Sequence, residues 1–244
     1  MGVDAGDYNK DGWLDLLVAN SEMATLYSND PQAVFIEKTA AIGLSDPTFQ
    51  FVGFSPLFLD YDNDGYLDIV IANGHSQAAI EDLLDSETYA QTDQLFRNTG
   101  DGTYKQISVN AGEYFSRAFV GRASVSGDYD NDGYTDIFVV NSNQQAVLVR
   151  NDNHSNNWLR VKLVGTRSNR DGIGAKVRIT VGEAIQAAEM KSGNGYASDS
   201  DQRLLFGIGL HTQIDQLEIR WPSGMNQQMK NIPCNQTVII TEQN

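Results

Sequence analysis

The chain has 244 residues, 41% of them hydrophobic, and 17 Lys and Arg against 32 Asp and Glu give a formal charge of −15. That is apolar material for one or two cores, but no apolar run approaches the ~18 residues a membrane helix needs, and the single cysteine, Cys234, excludes an intramolecular disulfide. Polyanions would be repelled over most of such a surface, so neither nucleic acid binding nor membrane insertion is expected.

The acid is unevenly chosen and placed. Asp outnumbers Glu by 23 to 9, and Asp favours turns and short oxygen-rich loops. Residues 1–150 carry a net −16 and residues 151–244 a net +1, which predicts two regions of different character meeting near Arg150.

Along the chain the first region repeats itself. Gly6 to Asn20 (GDYNKDGWLDLLVAN), Leu59 to Asn73 (LDYDNDGYLDIVIAN) and Gly127 to Asn141 (GDYDNDGYTDIFVVN) are copies, with leading aspartates Asp7, Asp60 and Asp128 spaced 53 and 68 residues apart. Each copy is followed by a weaker motif: Leu26-Tyr27-Ser28-Asn29, Leu95-Phe96-Arg97-Asn98 and Leu148-Val149-Arg150-Asn151. Aromatic stretches come next in the first two copies, at Val34-Phe35-Ile36 and Thr103 to Ile107. Short β-branched and aromatic runs separated by Asn, Asp and Gly predict antiparallel strands, about four per unit, a pattern that suits propeller blades better than solenoid coils. The exception is Ser76 to Ala90, where Ala79, Ile80, Leu83 and Leu84 fall at helical spacing behind Ser76 and predict a short helical insertion.

Within each copy the acids follow D-x-[DN]-x-D-G-x-x-D. The sets are Asp7, Asn9, Asp11 and Asp15; Asp60, Asp62, Asp64 and Asp68; and Asp128, Asp130, Asp132 and Asp136. A hard divalent cation can take alternate side chains of a tight loop, a glycine at position six (Gly12, Gly65, Gly133) allowing the bend. Position seven (Trp13, Tyr66, Tyr134) would then offer a backbone carbonyl, and the ninth-position aspartate would complete the shell. An EF-hand is rejected, because position twelve holds Val18, Ile71 and Val139 in strand-like runs rather than a bidentate Glu before a helix. Solvated turn aspartates are the alternative, but three copies hold 11 of the 23 aspartates, and packed carboxylates repel without a counterion. Many flexible oxygen donors favour Ca²⁺ over Mg²⁺, and the lack of His or Cys in the loops disfavours zinc. The first loop, with Asn9 for an acid and Lys10 beside it, should bind most weakly. A site with a Kd of ~0.1 mM in ~1 mM calcium would stabilise the fold by about 1.4 kcal/mol, a structural role suited to an extracellular or periplasmic setting.

These residues resemble the FG-GAP or VCBS-type repeats of integrin-like β-propellers, and residues 151–244 resemble the ASPIC/UnbV domain that follows such repeats in the cartilage acidic protein-like family. The second resemblance rests on Asn157 to Val161, Ser168 to Ala175, Ser192 to Tyr196 and Leu217 to Gly224, joined by Asn73-Gly74-His75 and Gln94 to Asn98 in the first part. It implies an all-β fold: a partial propeller over residues 1–150, followed by a small β-sandwich over 151–244. Propellers of this kind close with about seven blades, whereas this chain holds material for roughly two and a half, so a fragment without its secretion signal and with exposed sheet edges is expected. Apolar runs at Leu159 to Val164, Ala175 to Val181, Gln186 to Met190, Leu204 to Ile208, Gln216 to Trp221 and Thr237 to Thr241 predict the strands of the second region. Asp171, Asp199 and Asp201 sit in its Gly/Ser/Asn-rich loops, where turn formation is a better reading than an ion site.

Catalysis finds no motif. His75, His154 and His211 lack a local Ser or Cys partner, no G-x-S-x-G elbow occurs, and Gly172-Ile173-Gly174 and Gly207-Ile208-Gly209 lack the third glycine of a dinucleotide loop. The expected function is a calcium-binding, non-catalytic extracellular module for protein or glycan binding or adhesion, its oligomeric state left open. The alternative is a secreted polysaccharide-active enzyme or accessory protein whose active site lies in blades outside this sequence.

Overall fold

The computed structural model describes residues 1–32 and 34–243. The first repeat forms an antiparallel meander of β1 (Val3–Gly6), β2 (Asp15–Val18), β3 (Thr25–Ser28) and β4 (Ile36–Glu37). The second contains β5 (Gly53–Leu59) and β6 (Asp68–Asn73), then β7 (Gln91–Thr92), which leaves the sheet, then β8 (Gln94–Asn98) and β9 (Tyr104–Gln106). β7 pairs instead with β10 (Ala118–Phe119), and the third repeat follows as β11 (Gly121–Gly127), β12 (Asp136–Asn141) and β13 (Val147–Val149). Each carboxylate motif is the loop joining the first two strands of its sheet, closed at its base by the pairs Gly6 with Asp15, Leu59 with Asp68 and Gly127 with Asp136.

The middle sheet explains why its strands read as unbroken apolar runs rather than alternating ones. Phe58, Ile69 and Ile71 point into a cluster with Leu17 and Leu26 of the first sheet, whereas Leu57, Leu59, Val70 and Ala72 point the other way, onto Ile137 and Val139 of the third. Burial of each such large side chain stabilises the stack by about 1.5–3 kcal/mol. The third sheet has only one covered face: Phe138 and Val140 alternate with buried neighbours and remain 41% and 44% exposed.

In the second region β14 (Asn157–Val164), β15 (Lys176–Val181), β16 (Ala184–Glu189), β17 (Leu204–Gly209), β18 (Gln213–Arg220), β19 (Asn226–Pro233) and β20 (Gln236–Thr241) form two sheets. Their orders are β17-β14-β20, with β14 and β20 parallel, and β16-β15-β18-β19. Both contribute to one core that includes Leu159, Val161, Ile179, Phe206, Leu217 and Trp221.

Two expectations need correction. The helix predicted for Ser76 to Ala90 is only a single 3-10 turn, Ile80–Asp82, with no side-chain cap. Of its apolar positions only Ile80 finds cover; Leu83 and Leu84 are 67% and 47% exposed, so no apolar stripe holds a longer helix. Strand β19 was not anticipated, because its Asn, Gln and Lys residues show no apolar run; it forms by completing hydrogen bonds along β18. Among the described residues no helix is long and apolar enough to cross a membrane.

Candidate metal centre

The three loops share one backbone design. Position six is left-handed in each, with φ of 89° at Gly12, 88° at Gly65 and 96° at Gly133, a region that a Cβ disfavours. Position four is also left-handed, at Lys10, Asn63 and Asn131, and Asn tolerates this far better than Lys.

The leading aspartate ties each loop together through both oxygens. Asp7 accepts the backbone N–H of Asp11 (3.0 Å) and of Gly12 (2.9 Å); Asp60 accepts those of Asp64 (3.1 Å) and Gly65 (2.7 Å); Asp128 accepts those of Asp132 (3.1 Å) and Gly133 (2.6 Å). The position-five aspartates, Asp11, Asp64 and Asp132, each accept the N–H of position seven, at 2.9 Å from Trp13, Tyr66 and Tyr134. The ninth-position aspartates clasp the loop to the sheet. Asp15 accepts the N–H of Tyr8 and Asn29, Asp68 that of Tyr61 and Asn98, and Asp136 that of Tyr129 and Asn151.

Ion-ready geometry differs among the copies. Carboxylate oxygens of Asp60, Asp62 and Asp64 lie within 4.8 Å of one another, as do those of Asp128, Asp130 and Asp136. Asp7, Asp11 and Asp15 do not gather in this way; Asn9 there donates to Asp11 at 2.9 Å. Burial pushes Asp7 up to about 6, Asp15 up to about 7, and Asp60 and Asp68 well above the usual carboxylate range, with Asp64 adding to the effect at Asp60. In the third loop Asp132 Oδ2 is shut from solvent with no hydrogen-bond partner, the Arg150 guanidinium standing 3.9 Å away. An all-oxygen, crowded and dehydrated donor set with such an orphan atom fits a hard divalent cation, and the second and third loops fit it best.

Sequence reasoning missed two sets of residues around these loops. Arg97 lies 3.0 Å from Asp62 and 3.2 Å from Asp64, and Arg150 lies 3.1 Å from Asp130, so the arginine of L-F-R-N and L-V-R-N answers the loop acids; Ser28 holds that place in the first copy. The motif's asparagine reaches further. Asn98 Nδ2 donates to the carbonyls of Leu67 and, in the preceding loop, Tyr8 (3.0 Å); Asn151 Nδ2 donates to those of Thr135 and Tyr61 (2.7 Å). The repetition of Leu-x-x-Asn after each loop was the available signal.

The second region docks on the loops themselves. Arg160, buried beneath Trp158, ion-pairs with Asp128, and Arg203 donates to Asn131 (2.8 Å) and to the Asp128 carbonyl (3.1 Å). Gly207 passes so close to the second loop that a Cβ there would stand 2.1 Å from Asp60, and Gly209 donates to the Asn63 carbonyl at 2.9 Å. Asp199 and Asp201 serve as local acceptors, Asp199 for the Gly193 N–H and Asp201 for Arg203, and neither joins a metal-competent group among the described residues.

Comparisons with known proteins match both regions of the chain. A family model described as FG-GAP-like repeat matches residues 7–71 and 60–139, and one described as ASPIC and UnbV matches residues 165–244. The chain is 26% identical over 237 residues to cartilage acidic protein 1 of Mus musculus, covering 91% of this chain and 34% of the relative. The Homo sapiens protein of the same name gives 26% identity over 91% of this chain and 33% of the relative. The chain therefore spans about one third of the length of these curated relatives. With more than half its length matched by the repeat model and its C-terminal third by the second, this all-β chain belongs to the FG-GAP-like repeat family and carries an ASPIC and UnbV region.

Proposed function

We propose that the chain is a calcium-stabilised, non-catalytic extracellular module that binds protein or glycan, its first 150 residues forming two and a half propeller blades and residues 151–244 a small β-sandwich. The observation that carries the metal reading is the convergence of Asp60, Asp62 and Asp64, and of Asp128, Asp130 and Asp136, each set within 4.8 Å. Carboxylates gathered in this way repel one another; Arg97 and Arg150 answer part of that charge, and a doubly charged ion would answer the rest. Two bound ions would bring the formal charge from −15 to −11, and a third at the weaker first loop to −9. Extracellular calcium is abundant enough to fill modest sites, which supports a secreted setting. Thermal unfolding of EDTA-treated protein during a calcium titration tests the reading. Calcium at ~1 mM should raise the melting temperature by several degrees, about 1.4 kcal/mol for each site of ~0.1 mM affinity. An unchanged melting temperature would remove the metal claim.

A further inference from the structure

A cleft of about 780 Å³ separates the first carboxylate loop from the outer face of the β16-β15-β18-β19 sheet, with Trp13 on one wall and strand residues on the other. The strand register sets the sheet wall. Lys176 stands opposite Arg220, Arg178 opposite Glu218, and Glu218 in turn opposite Gln228, so charged and amide head groups form lateral rows across three strands. Several arginines elsewhere are committed: Arg97, Arg150, Arg160 and Arg203 pair with carboxylates, and Arg122 donates to the Gly74 and His75 carbonyls. Within the cleft, Arg178, Glu218, Arg220 and Gln228 make no side-chain hydrogen bond or ion pair with any described residue. Lys176 reaches only Glu189, at 3.7 Å.

Trp13 is the complement of that wall. It is 41% exposed, whereas Trp158 and Trp221 are 9% and 1% exposed, so an indole faces the cleft while the other two serve cores and contacts. An aromatic ring opposite unspent planar donors and acceptors suits a ligand with one apolar face and a rim of hydroxyls, which is the chemistry of a pyranose ring. Charge narrows the choice. Lys176, Arg178 and Arg220 exceed Glu189 and Glu218 by one positive charge, in a chain of net −15. That local excess can hold a single carboxylate, whereas the overall field rejects a densely charged polyanion.

We propose that this cleft binds a uronate-bearing oligosaccharide, one ring stacking on Trp13 and its carboxylate meeting Arg220 and Arg178. The proposal deepens the glycan side of the function given above and rests on it. Xylotriose bearing a single glucuronate is titrated into the full chain in calcium while tryptophan emission is followed, with cellotetraose and an acidic peptide, hexa-aspartate, run in parallel. The glucuronoxylotriose should produce a saturable change in emission, about tenfold tighter than cellotetraose, with no competition from the peptide. Arg220→Gln, an exposed strand substitution at a side chain that pairs with no loop carboxylate, should weaken binding about tenfold and retain the calcium-induced rise in melting temperature. Trp13→Ala should lose both the emission change and the affinity measured by calorimetry. No saturable binding by either method overturns the cleft assignment, equal binding of cellotetraose overturns the uronate, and competition by the peptide reassigns the cleft to a protein partner. The melting curves of the same samples separate the two ideas: a calcium shift without sugar binding sinks only the cleft, and sugar binding without a calcium shift sinks only the metal.

Discussion

Arg97 and Arg150 occupy the positions where a bound ion's charge would be felt most, each within about 3 Å of two loop carboxylates or one. A guanidinium beside an ion site repels the ion and also neutralises the acids in its absence. On the calcium proposal, Arg97→Gln should tighten calcium binding at the second loop several-fold and lower the stability of the EDTA-treated protein; calorimetric titration with calcium, with unfolding curves in EDTA, reads both. An unaltered affinity would show that the guanidinium and the ion do not compete. A second residue is isolated from the loops and reports on pH alone. Asp93 is buried, accepts the Asn73 N–H at 2.8 Å and the Tyr114 hydroxyl, and burial pushes its carboxyl up to about 6. A folded-state pKa above the unfolded ~3.9 means that the stability it contributes is fully present below that value and is lost as pH rises through about 6. Relative to the wild type, Asp93→Asn should therefore gain on the order of 2–3 kcal/mol between pH 4 and pH 7, measured by urea unfolding at fixed calcium. A parallel pH dependence in both proteins would refute the assignment.

At the scale of the strand and sheet, the unequal covering of the three repeats has consequences. Both faces of the middle sheet are packed, but Phe138, Val140 and Leu148 leave an apolar strip open on the third. Val34, Phe35 and Ile36 are similarly open at the first sheet's edge. Two unlike apolar surfaces on one molecule favour head-to-tail association. Sedimentation of the wild type should show mass rising with concentration, and Phe138→Lys should hold the protein as a monomer with stability altered by less than about 1 kcal/mol. The sequence made the repeats, the loop design and six of the seven strands of the second region legible, because each rests on local pattern: alternating or continuous apolar runs, and glycine where φ is positive. What it hid was decided elsewhere. Strand β19 takes its conformation from β18, the 3-10 turn at Ile80 lacks a surface to lean on, and the arginines on the loop acids come from strands 30 or more residues away in some cases, as between Asp64 and Arg97. The failure of Asp7, Asp11 and Asp15 to converge was partly legible, in Asn9 and in a lysine forced into a left-handed turn.

Over the whole molecule, the acidic repeats and the near-neutral second region meet through the loops, so the two halves share one set of charges. Arg160 joins them from a fully enclosed position against Asp128. Removing one partner of a buried ion pair strands the other, and Arg160→Met should cost about 3–5 kcal/mol in EDTA. Added calcium should recover part of that loss, since the ion can neutralise the stranded Asp128; differential scanning calorimetry with and without calcium measures the recovery, and its absence would separate the pair from the ion site. The asparagines give the same assembly a direction. Asn98 fastens Asp68 of its own loop to Tyr8 of the one before, and Asn151 fastens Asp136 to Tyr61, so three loops hang on one thread of amides. Tightening one loop around an ion would pull the next toward the same shape, and the row would fill over a narrower span of concentration than independent cups could, like a zip closing tooth by tooth.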